Sequence, residues 1–309
     1  MSSTGLHTIA IIGAGLMGHG IALTFARAGY NVRVYDPVAD SLETLTSRIS
    51  ASLIALGLDA DNVPGITTRV TACHELSDAV GDADLVVEAA PEKLALKQQI
   101  FADVEALAPA NCLLASNTSV IPITSIMENL KDRSRALGTH WWNPPHMIPL
   151  VEVIRTEWTR DDAMDTMVAI LSDIGKTPVR VEKDVPGFIG NRLQHALWRE
   201  AVSLVENGVC SAEAVDNVIK SSFGRRLAVL GPLENADLVG TDLTLDIHKN
   251  VLADLEASGA PSPYLERLVA DGKLGMKSGE GFRNWTPETA DATRNRVTTH
   301  LRKLDTLLE

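Results

Sequence analysis

The chain has 309 residues, of which 45% are hydrophobic and 22% charged, and its formal net charge is −12. This composition is typical of a globular protein, and the length predicts two domains. The negative charge argues against nucleic-acid and anionic-membrane partners. The three scattered cysteines form no C-x-x-C pair, so we expect neither a disulfide framework nor a metal site. The N-terminal residues lack a signal-peptide pattern, and no transmembrane helix is predicted, which favours the cytoplasm.

The segment Thr8–Pro37 has the pattern of a dinucleotide-binding unit. A short apolar run predicts a buried parallel strand, and a G-x-G-x-x-G motif with Gly13, Gly15 and Gly18 follows it. Gly13 permits a tight turn, Gly15 lets a pyrophosphate approach the backbone, and Gly18 lets the next helix pack closely. The helix N-terminus offers free N–H groups to the phosphates.

Asp36 indicates which dinucleotide is bound. It ends the second predicted strand, 31–35, where a carboxylate can accept hydrogen bonds from both adenosine ribose hydroxyls. The same carboxylate would repel the 2′-phosphate of NADP, so we predict NAD as the cofactor.

Strands and helices alternate along the rest of the first half of the chain. The predicted strands are 69–71, 85–90, 112–115, 136–139, 151–154 and 178–181. The predicted helices between them are 41–57, 75–80, 94–107, 123–127 and 160–174, with a polar connection at 59–68. This alternation predicts a Rossmann-like, doubly wound, parallel-dominated α/β sheet.

The pattern changes near Pro186, beyond which only helices are predicted. They cover 191–207, 212–222, 236–256, 264–271 and 287–308. We therefore expect an NAD-binding domain at 1–185 and an all-helical domain for substrate binding and dimerisation at 186–309.

Ligands of open α/β sheets bind beyond the carboxyl ends of the strands, where four polar segments should meet. His140, which we place in the loop after strand 136–139, is the candidate acid/base group, and Glu152 can hold its imidazole. Ser119 and Asn191 can hydrogen-bond a substrate oxygen. From the residues alone a structural histidine, an N-capping serine and a surface glutamate remain open alternatives.

The chain resembles the L-3-hydroxyacyl-CoA dehydrogenase family over nearly its full length. The matching segments, in the family's order, are IIGAGLMGHGIA, VVEAAPEKLALKQQIF, ASNTS, THWWNPPHMIPLVEV, KDVPGFIGNR, GPLENADLVGTD and KLGMKSGEGF. The resemblance implies a catalytic pair, His140 and Glu152, with Ser119 and Asn191 at the substrate oxygen. It also implies a homodimer formed through the helical domain.

The candidate cofactor residues come from the glycine motif, the strand ends and the resemblance, which supplies Glu92, Lys97 and Asn143. The full set is Gly13, Gly15, Leu16, Met17, Gly18, Asp36, Ala89, Glu92, Lys97, Asn117, Ser119 and Asn143.

Two departures from the CoA-active members bear on the substrate. Those members carry basic residues after the position of Asp36, whereas 37–68 contains Arg48 alone. The segment 223–232, FGRRLAVLGP, is similar to the branch that contains L-gulonate dehydrogenase (λ-crystallin), carnitine dehydrogenase and a pyridine-carboxylate dehydrogenase. We expect Arg226, with or without Arg225, to bind a substrate carboxylate, unless these arginines are solvated or serve the dimer interface.

Trp141 and Trp142 follow His140 directly. An apolar or cation-binding wall is one interpretation, but we expect at least one of the two to pack under the loop.

The prediction is an NAD-dependent dehydrogenase of a small L-3-hydroxy acid or related carboxylated alcohol. The alternative is a short-chain L-3-hydroxyacyl-CoA dehydrogenase. A 6-phosphogluconate-type β-hydroxyacid dehydrogenase and a crystallin-like structural protein fit the His140/Glu152 pair less well.

Overall fold

Eight β-strands, β1 to β8 in chain order, form one sheet in a computed structural model that describes residues 5–308. They are Thr8–Ile12, Asn31–Tyr35, Val70–Cys73, Leu85–Glu88, Leu113–Ser116, Ala136–Trp141, Leu150–Ile154 and Thr177–Val181. The strand order is β3-β2-β1-β4-β5-β6-β7-β8. Neighbouring strands are parallel except β6 and β7, which are antiparallel. The predicted doubly wound, parallel-dominated sheet is confirmed.

Fourteen α-helices, α1 to α14, and three short 3₁₀-helices complete the described part of the chain. The α-helices are Leu16–Arg27, Ala39–Glu43, Leu45–Ala55, Val63–Thr67, Leu76–Val80, Leu94–Leu107, Ile123–Met127, Asp161–Asp173, Gly190–Glu206, Ala212–Ser221, Pro232–Val239, Thr241–Val251, Pro263–Ala270 and Pro287–Leu308. The 3₁₀-helices are Ala60–Asn62, Arg133–Arg135 and Phe223–Arg225. Among these residues, no helix is long and apolar enough to cross a membrane.

Three predicted segments differ from the observed ones. The helix expected at 41–57 is divided into α2 and α3 at Thr44, and the polar connection at 59–68 contains α4. The helix expected at 236–256 is divided into α11 and α12 at Gly240, which has a φ of 103°. A residue with a positive φ cannot continue a right-handed helix, so the chain changes direction there.

The inner strands β1 and β4 to β7 are buried on both faces, since consecutive side chains point to opposite sides of a strand and nearly all of them are buried. In β1, Ile9 and Ile11 belong to one apolar cluster, and Ala10 and Ile12 belong to the other. The first cluster includes side chains of α1, α3 and α8, and the second includes side chains of α5, α6 and α7. Both faces of the parallel strands are therefore apolar, as the unbroken hydrophobic run of β1 predicts.

Contacts between Cα atoms divide the chain into two units. The first unit contains the described residues up to Arg192 and those from Leu301 onward, and the second is Leu193–His300. Helices α10 to α13 lie within the second unit. The Rossmann-like fold followed by a helical C-terminal domain is confirmed, while the exact boundary between residues 185 and 186 stays a prediction.

Candidate active site

His140 and Glu152 face each other across the antiparallel strand pair. The register of β6 and β7 places the two residues directly opposite, and His140 Nδ1 lies 2.7 Å from Glu152 Oε2. Both side chains are buried, with 4% and 1% exposure. The expectation that His140 lies in a loop was wrong, because it belongs to β6, and strand pairing therefore fixes its position. With Nδ1 engaged by a carboxylate, Nε2 is the ring nitrogen available to a ligand.

The second oxygen of Glu152 is held by the segment that starts α9. Oε1 accepts hydrogen bonds from the backbone N–H groups of Ile189, at 2.8 Å, and Gly190, at 3.0 Å. Burial raises the pKa of Glu152, but the hydrogen bonds from His140 and from these two N–H groups outweigh it and leave the pKa below its usual value. Glu152 is thus kept ionised and oriented beside the imidazole.

Two aromatic rings flank the imidazole of His140. Its centroid lies 5.2 Å from the nearest ring centroid of Trp142 and 5.6 Å from that of Phe188. Phe188 is buried and has a φ of 50°, a rare conformation for a bulky side chain. The ring of His140 is therefore fixed by packing as well as by Glu152.

A cavity of about 510 Å³ opens beside His140. Its lining residues are Met17, Ala89, Ala90, Glu92, Asn117, Ser119, His140, Trp141, Trp142, Asn143 and Asn191. The first unit thus brings the predicted catalytic histidine together with both predicted oxygen-binding residues and six of the predicted cofactor residues.

Ser119 and Asn191 form one polar edge of this cavity. Asn191 Nδ2 donates a hydrogen bond to the backbone oxygen of Ser119 at 2.9 Å. The side-chain hydroxyl of Ser119 and the carbonyl of the Asn191 amide can still interact with a ligand. Both residues therefore suit the binding of a small polar group near His140.

Lys97, one of the predicted cofactor residues, is held by two carboxylates. Its side chain is completely buried and does not line the cavity. Its Nζ lies 2.7 Å from Glu88 Oε1 and 3.4 Å from Glu92 Oε2. Glu88 stabilises the buried ammonium, since a buried charge needs a partner of opposite sign, and a contact between Lys97 and the cofactor stays a prediction.

Glu92 connects this buried pair to the cavity. Its Oε1 accepts hydrogen bonds from the Thr118 hydroxyl and from the backbone N–H groups of Ser119 and Val120. Burial raises the pKa of Glu92, but these hydrogen bonds and the positive charge of Lys97 outweigh burial. The pKa of Glu92 therefore lies below its usual value. Glu92 therefore fixes the position of the backbone at Ser119.

The glycine motif forms a tight turn with open space at its tip. Gly13 has a φ of 106°, and a Cβ there would lie 2.8 Å from the Ala89 carbonyl oxygen. A Cβ on Gly18 would lie 1.7 Å from the Gly13 oxygen, whereas one on Gly15 would meet nothing within 4 Å. No side chain caps the N-terminus of α1, and Leu16 there is 65% exposed. An open backbone turn before a helix start fits the diphosphate of a dinucleotide.

Asp36 lies at the end of β2, beside this turn. Its Oδ2 accepts a hydrogen bond from the Ala14 N–H at 2.7 Å, and its Oδ1 accepts one from the Val38 N–H at 2.8 Å. Each carboxylate oxygen can accept further hydrogen bonds, so a ribose diol also fits there.

The two asparagines predicted to bind the cofactor differ in exposure. Asn117 is buried, and its Oδ1 accepts a hydrogen bond from the Trp141 N–H at 2.9 Å. Asn143 is exposed at the cavity. Asn117 therefore also joins the loop after β5 to the end of β6.

Arg226 belongs to the second unit. It is exposed and directly follows the 3₁₀-helix Phe223–Arg225. Its N–H donates a hydrogen bond to the Phe223 carbonyl. Its side chain is thus accessible on that unit, and a contact with substrate remains a prediction.

Sequence reasoning missed several residues that shape the site. They are Glu88, which anchors Lys97, and Phe188 and Gly190, which surround the His140/Glu152 pair. Glu88 ends an otherwise apolar strand, and that position beside the ligand-binding edge was a usable signal. Phe188 and Gly190 give no such signal, because their roles depend on where α9 meets β7.

Comparison with known proteins identifies the family of the chain. Residues 8–185 match the NAD-binding domain of 3-hydroxyacyl-CoA dehydrogenase, and residues 187–285 match its C-terminal domain. The chain is 38% identical to 5-formyl-3-hydroxy-2-methylpyridine 4-carboxylate 5-dehydrogenase of Mesorhizobium japonicum. The alignment spans 290 residues and covers 93% of each chain.

Solved structures show the same relationship. A crystal structure of a 5-formyl-3-hydroxy-2-methylpyridine 4-carboxylic acid 5-dehydrogenase, described as an NAD⁺-dependent dismutase, superposes with a TM-score of 0.91 at 37% identity and 98% coverage of both chains. The (S)-3-hydroxybutyryl-CoA dehydrogenase of Ralstonia eutropha gives a TM-score of 0.76 at 31% identity, with 91% of this chain and 100% of that chain covered. The chain therefore belongs to the 3-hydroxyacyl-CoA dehydrogenase family and is an NAD-dependent oxidoreductase that acts on CH–OH groups.

Proposed function

We propose that this protein oxidises the hydroxyl of a small L-3-hydroxy acid or related carboxylated alcohol, with His140 as the general base. The observation that carries the proposal is the 2.7 Å contact between His140 Nδ1 and Glu152 Oε2 at the wall of the cavity. A histidine held this way presents Nε2 to the substrate and is stabilised when it becomes charged.

In this mechanism Nε2 of His140 takes the hydroxyl proton, and Glu152 stabilises the imidazolium that forms. Ser119 and Asn191 hold the substrate oxygen while the C–O bond becomes a carbonyl. The glycine turn and Asp36 would hold NAD⁺, which would supply the hydride acceptor for the carbon that bears this oxygen. Glu92 keeps Ser119 in place, and Trp142 and Phe188 exclude water around the imidazole.

Charge supports a free acid over a CoA thioester. Arg48 is the basic residue of 37–68, and its guanidinium is engaged locally. It donates hydrogen bonds to the Ser41 carbonyl at 2.6 Å, the Thr44 hydroxyl at 3.2 Å and the Gly15 carbonyl at 3.4 Å. CoA phosphates would find little positive charge there. The chain also superposes better on the pyridine-carboxylate dehydrogenase, with a TM-score of 0.91, than on the Ralstonia thioester dehydrogenase, with a TM-score of 0.76, which supports the same choice.

The second candidate is a short-chain L-3-hydroxyacyl-CoA dehydrogenase. The match to the family domains and the likeness to the Ralstonia enzyme favour it. An assay of the purified chain with NAD⁺ distinguishes the two, using L-3-hydroxybutyrate, L-gulonate, L-carnitine, a hydroxymethylpyridine carboxylate and L-3-hydroxybutyryl-CoA. The proposal expects turnover of at least one free acid and little of the thioester. Turnover of the thioester alone would establish the second candidate.

We further propose that Arg226 binds the substrate carboxylate. An arginine can form a bidentate, charge-assisted pair with this group. Arg226→Ala should raise the KM for the acid by at least about tenfold, because a lost hydrogen bond to a charged group costs about 1.5–3 kcal/mol. The KM for NAD⁺ should stay unchanged, as should both constants in the control Lys220→Ala, an exposed residue of the same unit. An unchanged KM for the acid would exclude this role.

We also propose that the protein is a homodimer that associates through its helical unit. Among the described residues of Leu193–His300, only Leu268 and Ala290 are buried hydrophobic residues. Large apolar side chains such as Leu233, Leu238 and Val229 are 80%, 72% and 69% exposed. Apolar surface of this extent is typical of a surface that a partner covers.

A further inference from the structure

Trp142 and Trp141 are neighbours in sequence with different surroundings. Trp141 is 2% exposed and belongs to the apolar core, where its ring lies 5.9 Å from that of Phe25. Trp142 is half-buried, lines the cavity and lies beside the imidazole of His140. The indole of Trp142 therefore occupies space next to the reacting group.

Gly190 leaves the room that Trp142 fills. A Cβ added to Gly190 would lie 2.4 Å from Cζ2 and 3.2 Å from Cε2 of Trp142. The φ of Gly190 is not in the left-handed region, so its backbone does not require glycine. Glycine at this first residue of α9 instead leaves space for the indole of Trp142, which lies against it.

The segment around Gly190 cannot easily move away from the indole. Its N–H donates to Glu152 Oε1 at 3.0 Å, and Glu152 in turn holds His140. The indole N–H of Trp142 has no hydrogen-bond partner among the described residues. Apolar contact therefore keeps the ring of Trp142 in place, and its position is tied to that of the catalytic pair.

Because the cavity is small, the indole of Trp142 affects how much space a substrate has beside His140. Pockets for one drug-sized ligand measure about 300–1,000 Å³. The cavity of about 510 Å³ must hold both the substrate and the nicotinamide end of the cofactor. Little room remains beside His140, and Trp142 takes part of it.

We propose that Trp142, seated against Gly190, sets the upper size of the substrate group next to His140. The protein then selects short-chain or single-ring hydroxy acids. This inference rests on the proposed function for the identity of the substrate, but the size limit applies equally to an acyl group carried by CoA.

The test compares wild type with Trp142→Ala, Gly190→Ala and the double variant Trp142→Phe/Gly190→Ala. The substrates are the L-3-hydroxy acids of four, six and eight carbons, and the same acyl groups as CoA thioesters. The measured quantity is the ratio of kcat/KM for the eight-carbon substrate to that for the four-carbon one. NADH affinity and thermal unfolding serve as folding controls.

Opposite shifts are expected from the two single substitutions. Trp142→Ala enlarges the cavity and should raise the ratio at least about tenfold, since one methylene group in an apolar pocket changes selectivity about 10- to 200-fold. Gly190→Ala pushes the indole into the cavity and should lower the ratio about tenfold. The double variant should return towards wild type, because phenylalanine lacks the outer ring that the new methyl group meets.

The matched control is Trp198→Ala, a tryptophan of the second unit that is 51% exposed. It should leave the ratio unchanged. The same ratio in all variants would overturn the inference, as would failure of the double variant to recover. Turnover of thioesters alone would overturn the proposed function but leave the size limit to be judged on the thioester series. A wild-type protein that oxidises neither series would overturn the inferred selection of short chains, whereas failure with every free acid of the wider assay would overturn the proposed function.

Discussion

The two units of the chain bury their apolar side chains to very different extents. In the first unit, both faces of the inner strands are covered, and even charged side chains such as Glu88, Lys97 and Glu152 are buried. In the second, two hydrophobic residues are buried among the described ones, and leucines on several helices are exposed. In the first unit, the buried core fixes the positions of the candidate site residues. The second unit instead exposes apolar surface that a partner could cover.

The largest difference between the units should appear when a lysine is replaced. Lys97→Met removes the cation that neutralises buried Glu88, which should lower the free energy of unfolding by about 3–5 kcal/mol. Lys249→Met breaks an exposed pair with Asp246 in the second unit and should cost less than about 1 kcal/mol. Denaturant titrations of both variants measure the contrast. Equal losses of unfolding free energy in the two variants would show that the buried Lys97–Glu88 pair contributes no more to stability than the exposed Lys249–Asp246 pair.

Association through the second unit should make stability depend on protein concentration. If the folded chain is a dimer, tenfold dilution should lower its apparent stability by about 1.4 kcal/mol, because dilution favours the separated, unfolded chains. Sedimentation should also give twice the mass of one chain. A monomer whose melting temperature is unaffected by dilution would contradict the proposed dimer.

A half-buried histidine of the first unit should make stability depend on pH. Burial, with the neighbouring His19 and Lys176, lowers the pKa of His146 to about 4 from its ordinary 6.5. The unfolded chain then binds more protons than the folded one between these values, so stability should fall as the pH is lowered from 6.5 towards 4. His146→Gln should flatten this part of the stability profile. The exposed His248→Gln should not, and identical slopes in both variants would argue against His146 as the source.

Much of the first unit could be predicted because its patterns are local. The apolar run of β1, the glycine turn and Asp36 lie within 30 residues and specify the NAD-binding unit. The antiparallel direction of β7 was also predictable, since the connection from Trp141 to Leu150 is shorter than the dozen residues that a parallel crossover needs.

Other features depended on contacts distant in sequence. A lysine is rarely buried, so nothing near Lys97 indicates that Glu88 draws it into the interior. The different roles of Trp141 and Trp142 likewise depend on Phe25 and Gly190, which the sequence cannot place beside them.

The central claim is that His140 removes the substrate proton, and His140→Ala tests it most directly. General acid–base catalysis contributes about 10²- to 10⁴-fold to a rate, so kcat on the acid that the wild type uses best should fall by that factor. NADH affinity should remain that of the wild type, since the glycine turn and Asp36 are untouched. A variant that keeps its wild-type kcat would contradict the claim.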